Sequence, residues 1–267
     1  MKTDIHVLLF AWTTETLKVQ TKMISHLFSK PKISGTSWDR TYHYHIRKTG
    51  GTSLNHMFLG SDGEDPEANY KKLVASAGNH LIEKGRGFVG WNIKNIEKGN
   101  YFYGFSHEPF HQIRLPPRTF TLTCFRDPFE RLFSHYRMMR EYRLEGVNHP
   151  CMETEGAWLQ DPGGFEEFLN RIPPEHLMRQ LYMFSKNFDI EEALVNIKKV
   201  NLIISTKSMQ TGVDRINLIF GKNLQVSHRR ATLYQERLEK KSKIRAMGLL
   251  QKEYEFLAKV LEIPPRP

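Results

Sequence analysis

Apolar and polar positions alternate from Tyr42 to Ile46: Tyr42, Tyr44 and Ile46 fall on one side, His43 and His45 on the other. A period of two predicts a β-strand. The pattern then changes. Arg47-Lys48-Thr49-Gly50-Gly51-Thr52-Ser53 is polar and glycine-containing, and Leu54, Met57 and Phe58 follow at helical spacing, with Gly60 placed to stop the helix. The chain from 42 to 60 therefore reads as strand, turn and helix. Further on, Tyr101–Phe105 and Phe120–Phe125 read as short strands and a helix starts at Pro128. Helices are predicted near 165–171, 175–185 and 189–199, a strand over Leu202–Ser205, a helix over 208–220 ended by Gly221, and a last helix over roughly 233–260. Asn69–Glu83 also reads as helix, and Gly60–Pro66 as a polar loop.

Two stretches resist a periodic reading. Residues 1–38 carry no motif, although Thr13–Phe28 has helical character, and they read as an extension. Residues 144–164 mix glycines and prolines with no steady period and read as a long loop, with Trp158 and Phe165 near its end; loops of this length are usually functional. Strands alternating with helices predict an α/β fold: one domain over residues 1–267, with a mainly parallel sheet covered by helices on both faces.

Composition narrows the partners. The 267 residues suffice for a sizeable core. Lys and Arg number 39 against 29 Asp and Glu, a formal charge of +10, which favours anionic partners without choosing among them. Two cysteines, Cys124 and Cys151, make neither a disulfide framework nor a four-ligand metal site, and Cys124 ends an apolar run as a core residue would. The early apolar run Val7–Trp12 is far short of the ~20 residues that span a bilayer. The expectation is a cytoplasmic protein with no membrane span.

The turn at 47–53 is the first candidate for chemistry. Strand, glycine turn and helix start present free backbone N–H groups to an anion. Gly50 and Gly51 let the backbone approach it, Lys48 adds a positive charge, and Thr52 and Ser53 add hydroxyl donors. Lys48 precedes the glycines, unlike the nucleotide-binding pattern in which lysine follows them. On these residues alone, an ordinary Gly-Gly turn stays open. The second candidate is FRDPFERLFSHYRMMREYR, residues 125–143. Asp127 suits the N-cap, Pro128 the first helical position and Glu130 a capping box. Phe129, Leu132, Phe133, Tyr136 and Met139 form the apolar stripe, and Arg131 and Ser134 are read onto the other face. Arg126, the helix start and Ser134 together suit a phosphate; a merely solvated basic face is the alternative.

Taken together, the two stretches resemble a family. HIRKTGGTS resembles the 5′-phosphosulfate loop, and RDPxxRxxSxY the 3′-phosphate motif, of sulfotransferases that use 3′-phosphoadenosine 5′-phosphosulfate, in the branch with the heparan sulfate O-sulfotransferases and bacterial relatives. The family usually has proline where this chain has Arg47. The likeness covers residues 42–142, with a weaker echo over Asn201–Gly221. It implies a P-loop-like three-layer domain that binds this donor without a metal, using Arg47, Lys48, Thr49, Gly50, Gly51, Thr52 and Ser53 at one end and Arg126 and Ser134 at the other. It implies sulfuryl transfer to an acceptor hydroxyl, on a glycan or another alcohol, with neither nucleic acid nor a membrane span involved. The segment Gly104-Phe105-Ser106-His107-Glu108-Pro109 resembles the family's GHxP, whose histidine is the proposed general base, and so implies that role for His107, with Glu108 a substitute. Lys48 is then the cation at the leaving oxygen. The 144–164 loop would be an acceptor lid.

Three other readings stand beside this one. His107, Glu108 and His111 spell the zincin HExxH, but Pro109 interrupts the helix that motif needs, and Pro116-Pro117 follow closely. A kinase-like phosphotransferase would need Mg²⁺ and a lysine after its glycines. A non-catalytic protein that binds anionic glycans or nucleotides needs only the charge. His43 and His45 share a strand face and are expected beside the phosphate loop rather than on a metal. Arg229 and Arg230, in a turn before the last helix, suit either an anion or solvent.

Overall fold

The structure, a computed structural model, describes residues 35–61, 63–159, 163–226 and 238–263. The helix expected over Thr13–Phe28, and Arg229 and Arg230, lie outside the described residues. The strands are β1 Arg40–Tyr44, β2 His80–Glu83, β3 Arg86–Gly90, β4 Tyr103–Ser106, β5 Thr119–Phe125 and β6 Leu202–Ser205. The helices used below are α1 Gly51–Leu59, α2 Pro66–Ala75, α3 Ile93–Lys98, α4 Pro128–Leu144, α5 Pro150–Thr154 and α6 Phe165–Arg171. After them come α7 Pro174–Leu177, α8 Arg179–Tyr182, α9 Ile190–Ile197, α10 Met209–Phe220, α11 Lys240–Leu249 and α12 Gln251–Leu261.

The strands form a six-stranded sheet in the order β2-β3-β4-β1-β5-β6. All neighbours pair in parallel except β2 with β3. The expected α/β architecture, a mainly parallel sheet flanked by helices, is what the chain adopts. β1 runs through the centre with all five residues buried, registered against β4 (Tyr44 opposite Ser106) and β5 (Tyr44 opposite Thr123).

Apolar side chains fill both faces. On one, Leu54, Met57 and Phe58 of α1 and Val213, Ile216 and Phe220 of α10 pack on Tyr103, Phe120, Leu122 and Ile204. Phe58 stacks on Tyr103 with ring centroids 4.0 Å apart. On the other, Tyr42, Tyr44 and Phe125 meet Leu181, Ala193 and Ile197, then Phe256 and Val260 of α12. A third cluster joins Leu132, Tyr136 and Met139 of α4 to Phe165 and Phe168 of α6 and to Ala246 and Leu250. Burying one such side chain stabilises the fold by roughly 1.5–3 kcal/mol.

Four expectations need correction, one of them the helix near 175–185, which is two short helices, α7 and α8, broken at Met178. Residues 69–83 are not one helix. α2 ends at Ala75, Gly78 and Asn79 take left-handed φ angles of 66° and 48°, and His80–Glu83 form a strand. β2 and β3 close a hairpin over Lys84-Gly85, where φ is positive at both residues, the geometry of the two-residue turns that suit strand twist. The last helix is two, α11 and α12, meeting at the fully buried Leu250. α11 packs on the third cluster and α12 on the second, so one straight axis cannot serve both. The 144–164 stretch is more ordered than a loop: His149 caps α5, and Gly156–Trp158 make a 3₁₀ turn. These elements are shorter than the span over which a helical period becomes visible.

Phe256 tests the last helix. Phe256→Ala is expected to lower unfolding free energy by about 3–5 kcal/mol, read from the midpoint of urea denaturation. A change within about 0.5 kcal/mol, the size of a surface substitution, would remove α12 from the core.

Candidate functional site

The carboxyl ends of β4, β1 and β5 lie side by side, and the segments that follow them meet there: 107–109, 45–50 and 126–127. The chain leaves β1 toward the β2–β4 side of the sheet and leaves β5 toward β6. A reversal of this kind opens a crevice at the carboxyl edge of a parallel sheet. Every expected site residue falls on these segments, or on α1 and α4, which they start.

The turn after β1 is held from within. Thr49 Oγ1 donates to Ile46 O at 2.8 Å, so this buried hydroxyl is engaged inside the loop. Lys48 has φ 67°. That region costs a non-glycine residue about 1–3 kcal/mol and is occupied where the surroundings enforce it. Here Arg126 Nη1 donates to Lys48 O at 3.4 Å. Gly50 is left-handed at φ 81°, and a Cβ there would lie 2.7 Å from Met209 Cε. Ser53 N and Leu54 N turn back to Gly50 O, at 3.0 and 3.4 Å, and begin α1. As at any helix start, the first-turn N–H groups have no partner within the helix. Thr52 and Ser53 are half-buried at this end.

Beneath the turn lies a polar cluster. His43 and His45 stack with centroids 5.1 Å apart under α1. Asn55, one turn along α1 from Gly51, bridges them. Its Oδ1 is 2.9 Å from His43 Nδ1 and accepts from Tyr103 Oη at 2.8 Å, while its Nδ2 is 3.3 Å from His45 Nδ1. A Cβ on Gly51 would overlap Cδ2 and Nε2 of His45 and lie 3.0 Å from Cε1 of His43. Gly51 is thus a glycine because two imidazoles occupy the space of its side chain. His107 joins them across the β1–β4 pair: its Nδ1 donates to His45 O at 2.6 Å, and the His45 and His107 rings are 4.5 Å apart. A carbonyl only accepts, so His107 carries its proton on Nδ1 and presents the Nε2 lone pair. Burial, then the charge of Arg47, pushes the His107 pKa down to about 3, against the pull of the His45 carbonyl. The imidazole is neutral at pH 7.

On the other side of β1, Asp127 caps α4 by accepting from Glu130 N at 2.9 Å, with Pro128 next, as expected. Glu130 does not complete the capping box; its carboxylate faces Arg126 Nη2 at 3.3 Å. Arg126 N donates to Gln180 Oε1 at 2.8 Å, and Gln180 N and Nε2 donate to Glu253 at 2.9 and 3.0 Å. Arg131, read from sequence onto a polar face, is fully buried. It donates to the carbonyls of His176 and Leu177 and lies 3.7 Å from Glu253, so it braces α4 internally. Its position, one turn after the capped start, turns inward because α7 and α12 close over that side. Ser134 is half-buried, and no hydrogen bond joins it to the turn after β1 among the described residues.

Several members of the site had no signal in the sequence. Glu155, beyond α5, is buried and pairs with Arg47 of the turn after β1. It also accepts from His135 Nε2 at 2.7 Å and lies 3.9 Å from His176 Nδ1. Burial opposes its charge, but the His135 N–H and Arg47 outweigh this and hold its carboxyl down at about 2. Arg47 is therefore tied to the 150–159 segment. Arg179 donates to His107 O; burial, then the neighbouring Arg47 charge, lowers its pKa to about 10. Asn55 did leave a trace: a polar residue on the buried stripe that carries Leu54 and Phe58. The HExxH letters do not form a helix, because Pro109 is extended and Phe110–Gln112 make a single 3₁₀ turn. Cys124 and Cys151 are both free and buried. Among the described residues, no helix is long and apolar enough to cross a membrane, and no group of three or more His, Cys, Asp or Glu is arranged to hold a metal ion. No protein-family model matches the chain, and no curated protein matches it.

The buried histidines set a pH dependence. Burial lowers His43 to about 4 from the usual 6.5, against its Asn55 bond, and His107 to about 3. Below pH 6.5 the unfolded chain binds protons that the folded one refuses. Stability is complete above that value and lost as pH falls toward 4, by up to about 3 kcal/mol for His43. The melting temperature is expected to start falling just below pH 6.5 at constant ionic strength. A melt unchanged down to pH 5 would contradict these burials.

Proposed function

We propose that the protein is a P-loop-like sulfotransferase that moves a sulfuryl group from 3′-phosphoadenosine 5′-phosphosulfate to the hydroxyl of a glycan or another alcohol. The observation that carries the reading is the contact between its two anion motifs. Arg126, at the start of α4, reaches the carbonyl of Lys48 beside the start of α1. A donor with phosphates at both ends of an adenosine needs two such sites in one crevice.

The residues fit that donor. Lys48 and the first N–H groups of α1 suit its 5′ end, with the hydroxyls of Thr52 and Ser53 beside them. Arg126 suits the 3′-phosphate, with Ser134 further along α4. Thr49 contributes its backbone, since its hydroxyl is bonded to Ile46 O. Arg47, held by Glu155, acts by fixing the loop rather than by grasping the donor. When bound, the donor supplies a sulfuryl group whose bond to the 5′-phosphate oxygen breaks as the bond to the acceptor oxygen forms.

This chain's residues then have two tasks. Lys48 and the helix N–H groups stabilise the negative charge that develops on the leaving phosphate oxygen. His107 Nε2 takes the proton of the acceptor hydroxyl, because Nδ1 is committed to His45 O. Its lowered pKa keeps it unprotonated throughout the neutral range, while making it a weaker base than a histidine poised near pH 7.

Thermal melts with adenosine 3′,5′-bisphosphate beside ATP·Mg²⁺ test the reading. Bisphosphate at 100 times its dissociation constant stabilises the folded state by about 2.7 kcal/mol, a rise of about 5–10 °C for a chain of this size. Lys48→Ala and Arg126→Ala are expected to lose the rise. His107→Ala is expected to keep it while turnover drops about 10²- to 10⁴-fold. A rise with ATP·Mg²⁺ alone would favour a kinase-like enzyme, and no rise with either would end the sulfotransferase reading. Bisphosphate binding without transfer to any acceptor would favour a binding protein.

A further inference from the structure

We infer that His45 is a neutral hydrogen-bond donor to an oxyanion seated at the start of α1, with Nε2–H as the donating group. The inference rests on the reading of the 47–53 turn as an anion seat.

The proton's place follows from the bonds beneath it. His45 is 7 % exposed, and its Nδ1 faces Asn55 Nδ2 at 3.3 Å. An amide nitrogen donates and does not accept, so His45 Nδ1 is the acceptor and Nε2 holds the proton. This depends on which way the Asn55 amide points. Rotating it would turn NH₂ toward His43 Nδ1 and move the His43 proton to Nε2. His43 Nε2 is fully buried and has no partner. A buried N–H without an acceptor is rarer and costlier than a bare lone pair. The amide therefore keeps Oδ1 toward His43 and Tyr103, and His45 becomes an Nε2–H donor.

That donor lies at the start of α1. Nε2 abuts Gly51, the first residue of the nine-residue helix α1, in the space a Cβ would fill. It has no hydrogen-bond partner among the described residues. Burial, and then the neighbouring His107, His43, Arg47 and Lys48, hold the ring well below its usual pKa. The site thus gains a directional N–H without adding a charge to those of Lys48 and Arg126. The ligand class is a phosphate- or sulfate-type oxyanion, the chemistry that a helix start, a lysine and a neutral N–H share.

Long-range ¹H–¹⁵N correlation of the histidine ring nitrogens in the intact protein reads the tautomers directly, with His45→Gln used to assign the His45 signals. At pH 7.5 the expected result is Nε2–H for His45 and Nδ1–H for His43 and His107. Addition of adenosine 3′,5′-bisphosphate, or of pyrophosphate, should shift His45 Nε2 and its proton. His45→Gln, which retains an N–H donor, should bind the bisphosphate within about 3-fold of wild type, and His45→Leu about 10- to 100-fold more weakly. An Nδ1–H tautomer for His45, or a ring nitrogen unmoved by either ligand, overturns the inference. Bisphosphate binding with an unmoved His45 overturns it while leaving the sulfotransferase reading intact. A shifted His45 with pyrophosphate alone upholds it and counts against that reading.

Discussion

The contact between β1 and α1 governs the geometry of this protein. β1 is the central strand, and on the α1-facing side it carries His43, with His45 just past its end, where most parallel strands carry aliphatic residues. Burying two imidazoles there costs less where their nitrogens find partners. Asn55 bonds the Nδ1 of each ring from α1, with Tyr103 as a further donor from β4. Asn55 comes within reach only if α1 begins close over the rings, which Gly51 permits by having no side chain. The same closeness sets the start of α1, the left-handed Lys48 and Gly50, and the direction of the helix N–H groups. Packing beneath the loop and the geometry above it are thus one constraint. Apolar contacts such as Phe58 on Tyr103 add most of the free energy, while the polar bridge fixes the register.

A second set of interactions places the charges. The chain is strongly basic, yet its central cations are held by partners drawn from distant segments. Glu253 of α12 organises Gln180, and Gln180 fixes the backbone at Arg126. Glu155 holds Arg47, and Arg179 holds the carbonyl of His107. Each partner restricts a long side chain or a loop whose freedom would otherwise be lost on binding a ligand. The ion pair from Arg47 to Glu155, in the neighbouring 150–159 segment, likewise restrains the turn.

The parts of the fold legible in the sequence were those written in local patterns. The glycine turn, the stripe of Leu54, Met57 and Phe58, and the Asp127-Pro128 helix start stand where the sequence puts them, and the strand before the turn lies two residues earlier than its alternation, at Arg40–Tyr44. Each rests on neighbours within a few residues, which is the range over which capping, turn formation and amphipathic spacing act. The β2–β3 hairpin has little local signal, because Lys84-Gly85 is not one of the common pairs for such a turn and His80–Glu83 follows directly on a stretch that suits a helix. The division of the last helix at Leu250 was hidden for another reason: both halves are good helices, and only their different cores require the break.

For the site, the sequence by itself determined the candidate groups: Lys48 and the glycines before α1, Arg126 before α4, and His107 after a strand. It determined their local settings too, because a turn, a cap and a strand end are short-range events. Only the tertiary structure decided which of them meet. Parallel pairing of β1 with β4 and β5 brought three separate loops to one edge of the sheet. The same pairing directed His107 Nδ1 to the carbonyl of His45, while the packing of α7 and α12 turned Arg131 inward to Glu253 and the 150–159 segment gave Arg47 to Glu155, 108 residues away. Such partners leave no mark at either end of the pair. Their energy depends on the distance, orientation and burial that the folded chain creates, and a residue's identity alone carries none of these.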